Sequence, residues 1–132
     1  MRVLVVALIG LFLGAVLTLI GMNALRKGTA YPNGVMAVMA AQMKQLGDSV
    51  KQNRCSETDL QSRLLTLRQL GNDIEPAFLP TQDDERFIAH AAEMRGALDA
   101  VLADIPNECT AAGLALDKVG KTCQGCHRDF KN

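Results

Sequence analysis

Near the end of the chain, two cysteines and a histidine stand in the order Cys-x-x-Cys-His, at Cys123, Cys126 and His127. This is the spacing at which c-type haem is attached to a polypeptide. On a helix, positions i, i+3 and i+4 share a face, so both thiols can reach the vinyl groups of one porphyrin while the histidine reaches the iron. The motif therefore predicts a helix that carries one covalent haem c, around which the remaining chain must fold.

A Cys-x-x-Cys pair has two other common uses. One is a redox dithiol, which the directly adjacent histidine argues against. The other is half of a zinc site, which needs a second pair of ligands at zinc spacing, and the sequence offers none. Haem attachment is the favoured interpretation, with zinc and a dithiol as the alternatives.

The composition favours packed helices over sheet. The 132 residues include no Trp and one Tyr, and Ala, Leu and Met are frequent. The formal net charge is zero, so there is no electrostatic case for a nucleic-acid partner. From Gly28 onward, 11 basic residues face 14 acidic ones, a net charge of −3. The sequence shows no nucleophile–base pair and no phosphate-binding loop, so it does not predict an enzyme.

The N-terminal run from Val3 to Met22 contains 20 residues without a charge. As a helix it would measure about 30 Å, the thickness of a bilayer core. It exceeds the apolar core of a typical signal peptide, about 7 to 15 residues, so residues 1–27 are predicted to be a retained transmembrane anchor. A cleaved signal and a buried core helix are the alternatives. Because c-type haem is attached outside the cytoplasm, a single pass through the bacterial inner membrane would place residues 28–132 in the periplasm.

After a short connector at Gly28–Pro32, four amphipathic helices are predicted from the spacing of apolar residues. Ser56, with Asp59 three positions on, is typical of the start of the second helix. Short connections predict an all-α fold, an antiparallel four-helix bundle behind the anchor. The expected core positions, helix by helix, are Met36, Met39, Met43, Leu46 and Val50; Leu60, Leu64, Leu67 and Leu70; Phe87, Ala91, Met94, Leu98 and Val101; and Ala112, Leu116, Val119, Cys123, Cys126 and Phe130.

The connection between the second and third helices is rich in proline. Pro76 and Pro80 bracket Phe78, so the segment 74–82 is predicted to be neither regular helix nor central strand. The acidic run Asp83–Glu85 follows, and it suits the positive end of a new helix.

Alternating helix directions predict what gathers at each end of the bundle. Met36, Phe78 and the haem motif share one end, and the turns that carry Cys55 and Cys109 share the other. A disulfide between these two cysteines suits an oxidising compartment, and two unpaired thiols are the alternative. The connector spans at most about 18 Å and joins the bundle at its haem end. The haem is therefore expected to face the bilayer and a membrane-embedded redox partner.

A four-helix bundle with its haem motif close to the C-terminus resembles the cytochrome c′ family, including its low-spin members. The resemblance covers Tyr31–Asn132, and it is carried by Tyr31–Met43, by the proline-flanked Phe78 and by Cys123–Lys131. Members of this family often pair as homodimers through their first two helices, so the resemblance implies a possible homodimer.

The resemblance also implies roles for individual residues. Cys123 and Cys126 would hold the haem, with His127 as the proximal ligand of its iron. Lys131 stands where the family has a basic residue near the proximal haem face. Met36 falls where the family places the side chain that faces the distal iron, and a methionine there closes the site in low-spin members.

Other residues compete for roles at the same site. Phe78 and Phe130 are expected to pack against the haem, or else to be ordinary core residues. Met39 is the alternative sixth ligand, although methionines at helical spacing are also typical core fillers. His90, beside the core stripe of the third helix, is a further candidate ligand or a surface histidine.

The leading function is therefore a membrane-anchored, periplasmic monohaem cytochrome that carries single electrons, with His/Met ligation that raises the haem potential. One alternative is a high-spin cytochrome c′-like protein that binds nitric oxide or carbon monoxide, in which Met36 only crowds the distal pocket. The other is a haem-bearing subunit of a larger membrane redox complex.

Overall fold

The computed structural model describes residues 2–78, 81 and 84–131, without the side chains of 2–8 and 22–29; Pro80 and Asp83 lie outside the described residues. Every regular element in this part of the chain is helical, which confirms the all-α prediction. The chain divides into two compact units, residues 1–33 and 34–132. The α-helices are α1 (Arg2–Lys51), α2 (Glu57–Leu70), α3 (Ile74–Ala77), α4 (Glu85–Ala103) and α5 (Cys109–Phe130).

The predicted connector at Gly28–Pro32 is wrong, because α1 continues through it with Pro32 inside the helix. A proline lacks one backbone N–H and therefore removes one helical hydrogen bond. Where the helical turns on both sides keep their hydrogen bonds, a proline bends the helix rather than ending it. The separate first helix of the sequence prediction is therefore the second half of α1.

The N-terminal unit exposes a run of large apolar side chains between Ile9 and Ile20. They are 55% to 75% exposed. No described helix combines the length and the apolar character needed to cross a membrane. The exposed side chains are Ile9, Leu11, Phe12, Leu13, Leu17, Leu19 and Ile20.

The unit of residues 34–132 has a continuous apolar core that follows the predicted stripes closely. All five predicted core positions of α4 are buried, and so are three of the four in α2. In α1, Met39 and Leu46 are buried together with Val35, which the sequence did not single out. The remaining predicted positions of α1 are only half-buried, namely Met36, Met43 and Val50.

Two helix starts are capped as the sequence predicts. The Ser56 hydroxyl accepts a hydrogen bond from the backbone N–H of Asp59 at 3.3 Å, at the beginning of α2. At the beginning of α4, Asp84 accepts from the backbone N–H groups of Arg86 at 2.8 Å and Phe87 at 3.3 Å. These bonds favour the ionised carboxylate, so they hold the pKa of Asp84 below its ordinary value. Each cap satisfies amides that have no partner within the helix.

The segment that was predicted to be non-helical contains the short helix α3. Pro76 falls in the first turn of α3, where a backbone N–H would have no helical partner, so the proline costs no hydrogen bond there. Arg95 of α4 holds α3 in place: it donates to both carboxylate oxygens of Glu75 at 2.8 Å and to the carbonyl of Gly71 at 2.9 Å. The hydrogen bond from Arg95 lowers the pKa of Glu75. Phe78 directly follows α3, so the hydrogen bonds of Arg95 also help to position Phe78.

The predicted partners Cys55 and Cys109 lie together. Their Cα atoms are 5.3 Å apart and their sulfur atoms 1.97 Å, which is the geometry of a disulfide. Cys55 follows α1 and Cys109 begins α5, so the pair ties the end of one helix to the start of the other. This agrees with the prediction that the two cysteine-bearing turns share one end of the bundle.

Removing this bridge should destabilise the protein. The bridge closes a loop of 54 residues, which the loop-entropy treatment values at roughly 4 kcal/mol. We expect Cys55→Ala/Cys109→Ala to lower the urea midpoint accordingly, and a reductant to lower the wild-type midpoint but not that of the variant. Equal midpoints for oxidised wild type and variant would show that the bridge contributes nothing.

Candidate haem site

All three residues of the Cys-x-x-Cys-His motif lie on α5, in its last two turns. Cys123 and Cys126 are unpaired and half-buried against the apolar core, while His127 is exposed. Burial raises the pKa of both thiols, and the nearby charges of Cys123 and Asp129 add to the rise at Cys126. Reactive dithiols depend on a lowered thiol pKa, so the alternative of a redox dithiol is weakened.

The alternative of a zinc site gains no support from the geometry. Within the described ranges, His, Cys, Asp and Glu side chains do not come together in any group of three or more suited to holding a metal ion. The two thiols instead pack against the apolar core.

Aromatic side chains collect beside the motif. The ring of Phe87 on α4 lies 5.8 Å from that of Phe78 and 5.2 Å from that of Phe130, edge to face with the latter. The guanidinium of Arg86 covers Phe130 at 5.6 Å from the ring centroid. We call Phe78, Phe87 and Phe130 the phenylalanine cluster. The sequence predicted Phe78 and Phe130 for the site and Phe87 only for the core. Phe87 fits the apolar stripe of its helix, and that pattern gives no sign that its ring also contacts Phe78 and Phe130.

Near the disulfide, Val50 of α1 approaches Gly113 of α5. A Cβ atom on Gly113 would lie 3.5 Å from Cγ1 of Val50, at the disulfide end. Two steps of seven residues lead from Gly113 to His127 along one face of α5, and two such steps lead from Val50 to Met36 along one face of α1. Both distances are about 21 Å. Met36 and His127 are therefore the same number of residues from this approach along their helices, and the placement of Met36 opposite His127 stays a prediction.

A Cβ atom on Gly113 would touch Val50, but one on Gly120, two turns further along, would meet nothing within 4 Å. His127 beyond it is exposed and Met36 is half-buried. The chain therefore leaves space beside Gly120, one turn before Cys123. Two thiols one turn apart on a helix, with a histidine directly after the second, are the residue types that fit a haem.

The other candidate ligands are engaged elsewhere. Met39 is 7% exposed and belongs to the apolar core. His90 directs Nε2 at Oδ2 of Asp129, 2.9 Å away, on the α4 side of α5. Lys131 is exposed just beyond α5, where its backbone N–H donates to the carbonyl of His127 at 3.0 Å; its placement near a proximal haem face stays a prediction.

Comparison of the chain with models of known protein families, with curated proteins and with solved structures finds no match. The likeness to cytochrome c′ therefore stays a resemblance, carried by the residues described above.

Proposed function

We propose that this protein is a monohaem c-type cytochrome that carries single electrons, with the unit of residues 34–132 forming an antiparallel four-helix bundle of the cytochrome c′ type. The observation that carries the proposal is that Cys123, Cys126 and His127 lie together in the last two turns of α5, with both thiols half-buried against the apolar core. Haem bound there supplies a reversible one-electron couple.

The residues of the chain would hold the haem, ligate its iron and shield it from water. Cys123 and Cys126 fix the macrocycle to α5 by thioether bonds, which requires only that each sulfur reach a vinyl group. His127 would supply a ring nitrogen to the iron, and Met36 of α1 would supply a thioether sulfur. The phenylalanine cluster excludes water from the adjacent end of the bundle, and a low-polarity surrounding disfavours the more highly charged oxidation state.

A second candidate function is gas binding. If Met36, which is half-buried, did not ligate the iron, the iron would be left free to bind a small diatomic ligand. The protein would then be a high-spin member of the same type, with His127 as its sole axial ligand from the chain.

We also propose that the N-terminal unit anchors the protein to the inner membrane, with the haem unit in the periplasm and a membrane redox protein as its partner. The support is the uncharged run Val3–Met22 together with the exposed apolar side chains from Ile9 to Ile20. The same surface suits a haem-bearing subunit of a larger complex. A homodimer through α1 and α2 would follow the family resemblance.

The visible spectrum of the reduced protein, with and without carbon monoxide, tests the proposed ligation. Sharp low-spin bands that carbon monoxide leaves unchanged are expected for an iron closed by His127 and Met36. A high-spin spectrum that shifts when the gas is added would contradict electron transfer through a closed iron and favour the gas-binding candidate.

A further inference from the structure

His90 of α4 packs against α5 beside the haem motif. Its Nε2 lies 2.9 Å from Oδ2 of Asp129, and its side chain is only 19% exposed. An ionised carboxylate only accepts hydrogen bonds, so the Nε2–H donates. The imidazole also meets the ring of Phe130 edge to face at 6.0 Å, and a Cβ atom on Gly125 would lie 3.6 Å from Cε1. One side chain thus contacts α5 at three positions around the motif.

These contacts fall on the part of α5 that is least held by its own hydrogen bonds. The last carbonyls of a helix have no helical partner, and its terminal turn opens readily. α5 ends at Phe130, three residues after His127. The contacts with Gly125, Asp129 and Phe130 lie on both sides of His127 in the sequence. His90 therefore ties the terminal turn of α5 to the second turn of α4.

We propose that His90 is a positioning residue: its hydrogen bond to Asp129 fixes the terminal turn of α5 and with it the direction in which His127 meets the haem iron. This inference rests on the proposed function, and it stands in place of the alternative in which His90 is itself a ligand. Glu93 does not share the role, because its Oε2 lies 3.9 Å from Nδ1 of His90, beyond hydrogen-bond distance.

The test is the electron paramagnetic resonance spectrum of the ferric, haem-loaded protein, since its g values depend on the orientation of the axial ligands in a low-spin iron and on the rhombic distortion of the site in a high-spin iron. Wild type and Glu93→Gln should each give one sharp set of g values. His90→Leu, which keeps an apolar side chain against Phe130 but cannot donate, should lose that single set and give a broadened or multiple signal. His90→Gln, whose amide can still donate to Asp129, should restore it.

Asp129→Ala provides a second route, since it removes the acceptor from the half-exposed side and leaves the packing of His90 in place. It should broaden the signal as His90→Leu does. If His90→Leu does not accumulate as a folded protein, Asp129→Ala alone carries the test. Unchanged g values in Asp129→Ala, or a His90→Gln signal as broad as that of His90→Leu, would overturn the positioning role. A single sharp high-spin signal from wild type would contradict ligation by Met36 but not the positioning role of His90. A wild type without haem would contradict both the proposed function and the positioning role.

Discussion

Replacing Cys123 and Cys126 together with alanine is expected to abolish covalent haem attachment. Each thioether needs one of these sulfur atoms, and the described residues place only these two cysteines beside His127. Alanine is the strongest helix former, so α5 should keep its backbone. After production with a c-type haem maturation system, wild type should stain for haem on a denaturing gel and the variant should show no stain.

The matched control is Cys55→Ala/Cys109→Ala, which removes the same number of sulfur atoms at the disulfide end. It should keep its haem stain although it is less stable. Covalent haem in Cys123→Ala/Cys126→Ala, or loss of haem only in the control, would contradict the assignment of the attachment cysteines.

Replacing Met36 with alanine should open the iron to carbon monoxide. Met36 is the proposed sixth ligand of the iron, so its truncation should leave that coordination position without a protein ligand. The reduced variant should change from low-spin to high-spin and bind carbon monoxide fully, where wild type binds none. Visible spectra recorded before and after the gas is added measure the change.

Met39→Ala is the matched control for Met36→Ala. Met39 lies in the apolar core, and its truncation should cost about 2–5 kcal/mol of unfolding free energy while the low-spin spectrum persists. The opposite pattern, in which Met36→Ala stays low-spin and Met39→Ala binds carbon monoxide, would make Met39 the ligand.

The sequence predicted the cores and starts of the helices because these depend on local chemistry. The stripe from Phe87 to Val101 is buried at every predicted position, and Asp84 caps the helix that carries it. The two errors of element placement both concern prolines. Pro32 and Pro76 were taken as helix breakers. A proline inside a helix removes one hydrogen bond and crowds the preceding turn but need not end the helix, and at a first turn it costs no hydrogen bond.

The candidate site was predictable where it depends on one helix or on helix direction. The spacing of Cys123, Cys126 and His127 belongs to one helix, and the pairing of Cys55 with Cys109 follows from alternating directions. The approach of Val50 on α1 to Gly113 on α5 is a tertiary contact, which a single sequence does not specify. The contact of His90 with Asp129, 39 residues further along the chain, likewise arises only from packing.

The intact mass of the wild-type protein, produced with a c-type haem maturation system and then denatured in acid acetone, tests the central claim most directly. The predicted result is the mass of the polypeptide plus one haem, with Cys123 and Cys126 resistant to alkylation. A polypeptide mass without haem, with both of these thiols alkylated, would contradict it.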